Sequence, residues 1–338
     1  MENIIFISLI GLIFLVNQIF IKKNILPSFS GDQHQKLASK KSIPLSGGIF
    51  LLIGFYLFFF EILFNYYFFI LLIFSIGLFS DLKILQSAKF RLILQSIIIF
   101  TFVYTFNLQI TDTRIEIVDK FLSYQILSYF FVSFCILIIV NGSNFLDGLN
   151  TLTLGYYLIV SYLLYEMKLY SFVGLNPEVF LIWIFFLTII YVFNFFNFLY
   201  LGDNGAYLLG FIYSFLLISI YNNYSLISPY FIILLLWYPG FENLFSIIRK
   251  KLLKKNSPLL PDPKHLHQLM FIFFNNKLIK NKFYANLAVA NIINGYNILI
   301  FMFALENISD TKFQLTLISL NIIIYIFIYS ILFKILKN

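Results

Sequence analysis

Charge is scarce in this sequence: only 11% of its 338 residues are Asp, Glu, Lys or Arg, against roughly 25% in an average soluble domain. That shortage excludes an ordinary water-soluble fold, whose surface carries far more ionic side chains. A single cysteine, Cys135, excludes any internal disulfide. It lies in an apolar run, where a free thiol usually packs as a small hydrophobe. Long soluble segments and fixed-period repeats are also missing, so residues 1–338 read as one domain. The first apolar segment opens on Glu2 instead of a basic stretch and has no small-residue cleavage site before Lys22, so it does not read as a cleaved signal.

What fills the space is apolar. Hydrophobic residues make up 61% of the chain, with 45 Phe and 23 Tyr. A helix crossing a bilayer needs about 20 apolar residues. Eleven runs approach that length: Ile4–Ile21, Leu45–Leu63, Tyr66–Phe79, Leu92–Leu108, Ile126–Val140, Leu152–Met167, Val179–Phe193, Ala206–Tyr221, Pro229–Ile248, Tyr284–Leu305 and Phe313–Leu336. Glu61 and Asn65 alone mark the turn between the second and third. The expected fold class is all-α, a polytopic membrane protein of about eleven transmembrane helices.

The net charge of +8 does not point to nucleic acid, because the basic residues cluster between apolar runs. With the N-terminus outside and the runs alternating, all but Arg114, Lys120, Lys168 and Lys312 of the 23 basic residues fall on the inner side. Basic loops stay cytoplasmic, so the expectation is an outside N-terminus and an inside C-terminus. Asp32, Asp81, Asp147, Asp203, Glu242 and Asp262 then gather at the inner face. Two of their segments, NGSNFLDG and LYLGDNG, hold no basic residue, so the charge rule does not account for them.

LGDNGAY interrupts a nearly continuous apolar stretch from Val179 to Ile220, and Asp203 is its only charge. An ionised Asp at the bilayer centre costs about 2.5–3.5 kcal/mol on insertion scales. It persists at an interface, in a pair, or on a cation. Gly202 and Gly205 allow close approach to the backbone, and the amides of the helix that starts here favour a phosphate. The competing reading is a plain interfacial turn with Asp203 as cap. In NGSNFLDG, Asn141, Asn144 and Asp147 are three apart and share a helix face. They suit a nucleotide or sugar, or equally a helix C-terminal cap. In SDLKILQSAKFRL, Asp81 can bind or position a phosphate, and Lys83, Lys89 and Arg91 can neutralise one. The same residues also read as an ordinary basic loop with its acidic partner. PDPKHLHQL offers Asp262, His265 and His267 as zinc ligands, or His265, His267 and Lys264 as a grip on a diphosphate.

Taken in order, these segments resemble the polyprenyl-phosphate N-acetylhexosamine-1-phosphate transferase family, which includes bacterial N-acetylglucosamine-1-phosphate transferases and phospho-N-acetylmuramoyl-pentapeptide translocases. The likeness runs from about Gly31 to Leu269. IPLSGG matches a Pro-x-x-Gly-Gly start to the second helix, and NGSNFLDG an Asn-x-x-Asn-x-x-Asp-Gly motif. LGDNGAY matches Gly-Asp-x-Gly-Ser/Ala, and PDPKHLHQL an Asp-x-x-His-x-His loop. Asp32 and Lys36 match the family's first basic loop loosely. There are departures. Ser80–Asp81 stands where the family usually has paired aspartates, and Glu242 stands where Asp is frequent. His-Leu-His is sparser than the run of the murein branch, which favours the N-acetylhexosamine branch.

The resemblance implies transfer of an N-acetylhexosamine 1-phosphate from a UDP-sugar to polyprenyl (undecaprenyl) phosphate, with release of UMP. This starts a lipid-linked cell-surface glycan, as in cell-wall or lipopolysaccharide biosynthesis. It also implies a magnesium ion, with manganese as a substitute, held by Asp203. Asp81, Asp147 and Asp203 are the implied catalytic residues, and Asn144, Lys89, Arg91, His265, His267 and Lys36 the implied substrate-binding residues. The division of labour between Asp81 and Asp147 stays open. The expected location is the bacterial inner membrane with a cytoplasmic active site. The partners are the lipid, the UDP-sugar and the membrane, not nucleic acid, and a homodimer is compatible. Two other readings remain at this level: a secondary transporter with intramembrane acids, and a non-catalytic lipid-binding scaffold suggested by the missing carboxylate at Ser80.

Overall fold

A helix closes its backbone hydrogen bonds within itself, as a chain surrounded by lipid requires. The computed structural model describes residues 2–28, 43–253 and 264–337, and every apolar run becomes helical there. The order is α1 (Glu2–Lys23), α2 (Gly47–Leu63), α3 (Tyr67–Asp81), α4 (Ala88–Thr105), α5 (Glu116–Leu122), α6 (Gln125–Leu146) and α7 (Leu152–Glu166). There follow α8 (Pro177–Phe195), α9 (Gly202–Asn223), α10 (Pro229–Leu235), α11 (Trp237–Leu253), α12 (Leu266–Lys277), α13 (Lys282–Leu305) and α14 (Thr311–Lys337). The described residues contain no strand, so the all-α expectation holds. A 3-10 turn at Phe64–Tyr66 separates α2 from α3, beside the Glu61 and Asn65 marks. Seven helices among the described residues are long and apolar enough to cross a membrane, or eight if α10 and α11 count as one bent span. α2, at 17 residues, and α7, at 15, are shorter.

α9 is the axis of the bundle and is buried along nearly its whole length. α2, α3 and α6 pack directly on it. The approach is close because small residues face one another. A Cβ on Gly48 would lie 1.8 Å from Asn204 Oδ1, and one on Gly77 would lie 2.4 Å from Asn204 Cα. Backbone bonds lock the start of α2 to the loop before α9: Gly47 N donates to Tyr200 O (2.9 Å) and Gly48 N to Leu201 O (3.2 Å). The IPLSGG segment is thus the wedge that sets where α9 begins. α4 and α14 sit at the rim and turn apolar side chains outward, Ile323 and Phe327 among them.

Contacts at helix ends define two poles. The first collects the start of α2, the end of α3, the start of α4, the end of α6 and the starts of α9 and α12. The second collects Arg114, whose guanidinium donates to Ser309 O (2.6 Å), Thr311 Oγ1 (2.8 Å) and Ile227 O (3.1 Å). Asp81, Asp147 and Asp203 lie at the first pole. Arg114 and Lys312, assigned above to the opposite side, lie at the second.

The run Pro229–Ile248, read above as one helix, is broken by a 77° bend between α10 and α11. Pro239 accounts for it. Proline has no amide to donate, and its ring conflicts with the carbonyl four residues back. That carbonyl, on Leu235, instead accepts from the buried Tyr156 hydroxyl at 2.8 Å.

Candidate active site at the start of α9

Gly202 opens α9 with φ +76°, a left-handed conformation that glycine adopts without steric cost. A Cβ there would also meet Asp81 Oδ2 at 2.8 Å. This turn aims three amides out of the helix end. Asp203 N and Asn204 N each donate to Asp81, at 3.0 Å to Oδ1 and Oδ2 respectively. Asn204 Nδ2 adds a 2.5 Å bond to Asp81 Oδ2, and Gly202 N reaches Asp147 Oδ2 at 3.2 Å. The sequence reading offered these amides to a phosphate. In the structure they serve two carboxylates of the chain itself, because acids favour a helix N-terminus as an anion does.

The Asp203 side chain turns the other way. Its Oδ2 accepts from Arg91 Nη1 at 2.6 Å and from Ser80 Oγ at 2.5 Å, and its Oδ1 accepts from Asn144 Nδ2 at 2.5 Å. Arg91 Nη1 also donates to Ser80 Oγ. About a fifth of the Arg91 side chain and a quarter of the Asp203 side chain remain accessible, so the cluster opens to the outside at this pole. Burial pushes the Asp147 carboxyl well above the usual carboxylate range, and the charges of Asp203 and Asp81 push it further.

A second cluster adjoins the first. Glu242 on α11 joins His265 Nδ1 through Oε1 at 2.9 Å and accepts from the Tyr325 hydroxyl of α14 through Oε2 at 2.9 Å. His265 caps α12 and lies 4.7 Å, centroid to centroid, from the Phe145 ring. His267 stacks on His265 at 5.7 Å and presses against Gly148, where a Cβ would lie 3.0 Å from Nε2. The His267 ring is fully buried, and neither nitrogen meets hydrogen-bond geometry among the described residues. Burial lowers its pKa to about 4, against a smaller upward pull from Glu242, so the ring is neutral near pH 7. The end of α6 is the wall shared by both clusters: Asn144 and Asp147 face the start of α9, while Phe145 and Gly148 face the histidines.

Of the residues singled out in the sequence, the structure brings together Asp81, Arg91, Asn144, Asp147 and Asp203, with His265 and His267 alongside. Lys89 lies two residues from Arg91 with its side chain exposed, outside this cluster. Lys36, Asp32 and Asp262 fall outside the described residues. Sequence reasoning did not find Tyr325, the Phe145 ring or the partnership of Ser80 with Arg91. It also missed the support behind Asp147. There Thr151, at φ +67°, gives its amide to Asn194 Oδ1 (2.6 Å), and Thr151 O accepts from Asn294 Nδ2 (3.3 Å). A β-branched residue at positive φ is strained, and the two buried asparagines hold it there.

The family model of glycosyl transferase family 4 matches residues 63–221. The match spans 159 of the chain's 338 residues, and over them the chain is similar to that family. This is the family of phospho-N-acetylmuramoyl-pentapeptide translocase and related polyprenyl-phosphate hexosamine-1-phosphate transferases, and its members are phosphotransferases. The stretch contains Ser80, Asp81, Arg91, Asn144, Asp147 and Asp203, the whole first cluster. Glu242, the two histidines and Tyr325 lie beyond it. No curated protein matches the chain.

Proposed function

We propose that this protein transfers a hexosamine 1-phosphate, carried as a UDP-sugar, to polyprenyl phosphate at the cytoplasmic face of a bacterial inner membrane. The observation that carries the reading is the cluster of Asp81, Asp147, Asp203, Asn144 and Arg91 at one pole, inside the stretch that matches the family. An oxygen of the lipid phosphate forms a bond to the sugar-linked phosphorus. The bond from that phosphorus to the bridging oxygen breaks, and UMP leaves with the electron pair. The lipid keeps a diphosphate bridge to the sugar. Such transfer depends on positioning and charge neutralisation more than on covalent help from the protein.

The donor set fits a magnesium ion. Three carboxylates gather here while Arg91 pairs with Asp203 alone among them, Asp203 Oδ1 has a single donor, and Asp147 Oδ1 has none among the described residues. No group of three or more His, Cys, Asp or Glu among the described residues is arranged to hold a metal. Magnesium does not require one, because it binds through one or two carboxylates together with substrate phosphates and water. Asp203 would hold it, and manganese takes the same oxygens. When bound, the ion screens the two phosphates from each other. Asp81 fixes the start of α9 and so the place of Asp203. Arg91 and Lys89 meet phosphate charge, and Asn144 and Asp147 orient the nucleotide-sugar. His265 and His267, beside this cluster, are assigned to the diphosphate or its leaving group, with Lys36 in the first loop contributing charge.

The cytoplasmic assignment follows the basic residues, which concentrate on the side of the first cluster. A transporter reading gains one feature, the broken span of α10 and α11. Glu242, just after that break, is however already paired with His265 and Tyr325 at the first pole. The test is UMP release by purified protein supplied with a short polyprenyl phosphate, magnesium and several UDP-N-acetylhexosamines. Absence of UMP with every donor sugar overturns the reading in favour of the scaffold.

A further inference from the structure

Ser80 stands where the resemblance expects a carboxylate, and its geometry shows what the hydroxyl does instead. A serine hydroxyl has one proton and two lone pairs. Its proton goes to Asp203 Oδ2 at 2.5 Å, and a lone pair accepts Arg91 Nη1, which also reaches Asp203 Oδ2 at 2.6 Å. Two donors thus close on one carboxylate oxygen, and they are bonded to each other. A carboxylate at position 80 has no proton to give, repels Asp203 and draws Arg91 toward itself. With the neutral hydroxyl at position 80, Asp203 is the one carboxylate that Arg91 meets among the described residues. A second feature points the same way: Arg91 Nε is buried without an acceptor among the described residues, where the guanidinium holds a donor unused in this arrangement.

We propose that Ser80 is a positioning residue that fixes Arg91 on Asp203 as a resident counter-ion, with which a divalent cation competes. The proposal rests on the reading above that Asp203 holds the cation. Two like charges drawn to one carboxylate oppose each other, so the cation binds more weakly here than it would beside a second carboxylate. When the cation takes Asp203, Arg91 is released with its donors free for a phosphate oxygen. The arginine is then a placeholder for the metal before substrate arrives and an anion ligand afterwards.

The experiment is a titration of the full-length, detergent-solubilised protein with Mn2+, reading free manganese by electron paramagnetic resonance without substrate. Wild type is compared with Ser80→Asp, Arg91→Gln and Arg91→Lys. Ser80→Asp and Arg91→Gln are expected to bind Mn2+ at least tenfold more tightly than wild type. Arg91→Lys, which keeps the charge, is expected to stay within about threefold. Asp203→Asn, as control, should lose the site. If Arg91→Gln does not fold, Ser80→Asp carries the test alone. Wild type binding as tightly as Ser80→Asp overturns the proposal, and so does a complete lack of Mn2+ binding by every variant. Because no turnover is needed, a failure here is distinct from a failure to release UMP. An active enzyme with unaltered manganese affinity in Ser80→Asp refutes the counter-ion and leaves the transferase intact.

Discussion

Converting Asp81→Asn keeps the shape of the side chain and removes its charge, and the structure sets the consequence. Asp81 accepts three donors, Asp203 N on Oδ1, and Asn204 N and Nδ2 on Oδ2. An amide has one oxygen. Whichever way it turns, its NH2 faces at least one donor, and either Asp203 N or both Asn204 groups lose their acceptor. An orphaned buried donor costs about 1–3 kcal/mol, and loss of a charge at a helix N-terminus costs about 0.3–2 kcal/mol. Relief of repulsion with Asp203 and Asp147 offsets part of this, leaving a net cost of about 2 kcal/mol. The larger effect falls on Asp203, whose backbone amide is one of the three donors, so its carboxylate loses its place. We expect a lowered melting temperature in detergent and a fall in UMP release of a hundredfold or more, equivalent to about 2.7 kcal/mol in the barrier. Asp81→Ala should be at least as severe in both measurements. Unchanged melting temperature and near-normal turnover in Asp81→Asn would show that the start of α9 does not depend on this carboxylate.

Asp203→Asn should abolish UMP release while the protein still inserts and purifies; magnesium-dependent turnover in that variant would remove Asp203 from the cation site. Cytoplasmic reporters fused after Arg91 or Lys337 should be active and those after Arg114 or Lys312 inactive, and an active fusion after Arg114 would put the first pole outside. His267 titrates at about 4 when folded and near 6.5 when unfolded, so the unfolded chain takes up the proton first and stability falls as pH drops through that window. Between pH 7.5 and 4.5 the loss is about 2.5 kcal/mol, visible as a lowered melting temperature that His267→Gln should blunt. An acid sensitivity identical in His267→Gln would assign the effect elsewhere.

Most of the fold is legible in the sequence because lipid imposes a simple rule on a chain: apolar stretches become helices and their ends carry the polar residues. The gathering of Asp81, Asn144, Asp147 and Asp203 follows from that rule together with the motif spacing. What resisted reading depends on partners distant in sequence. Nothing near Arg91 indicates Asp203, more than a hundred residues away, as its partner, and nothing in the apolar run of α14 marks Tyr325 as the ligand of Glu242. The break between α10 and α11 had a local signal in Pro239, but the uninterrupted hydrophobicity around it hides the bend. The amides at the start of α9 were read as open to substrate. Whether a helix end is free is decided by what another helix brings to it, here Asp81 and Asp147.

Among the groups named at the site, the Tyr325 hydroxyl lies furthest along the chain. Asp81, Arg91, Asn144, Asp147 and Asp203 all lie within the matched stretch, which ends at residue 221, and so are made before Glu242 and His265. Glu242 and His265 follow, but the second acceptor oxygen of Glu242 waits for a residue near the end of a 338-residue chain. During translation Glu242 Oε2 therefore lacks the Tyr325 hydroxyl until α14 folds back against α11. A chain whose α14 fails to insert keeps the acid cluster at the start of α9 but lacks the hydroxyl that steadies Glu242 and, through it, His265.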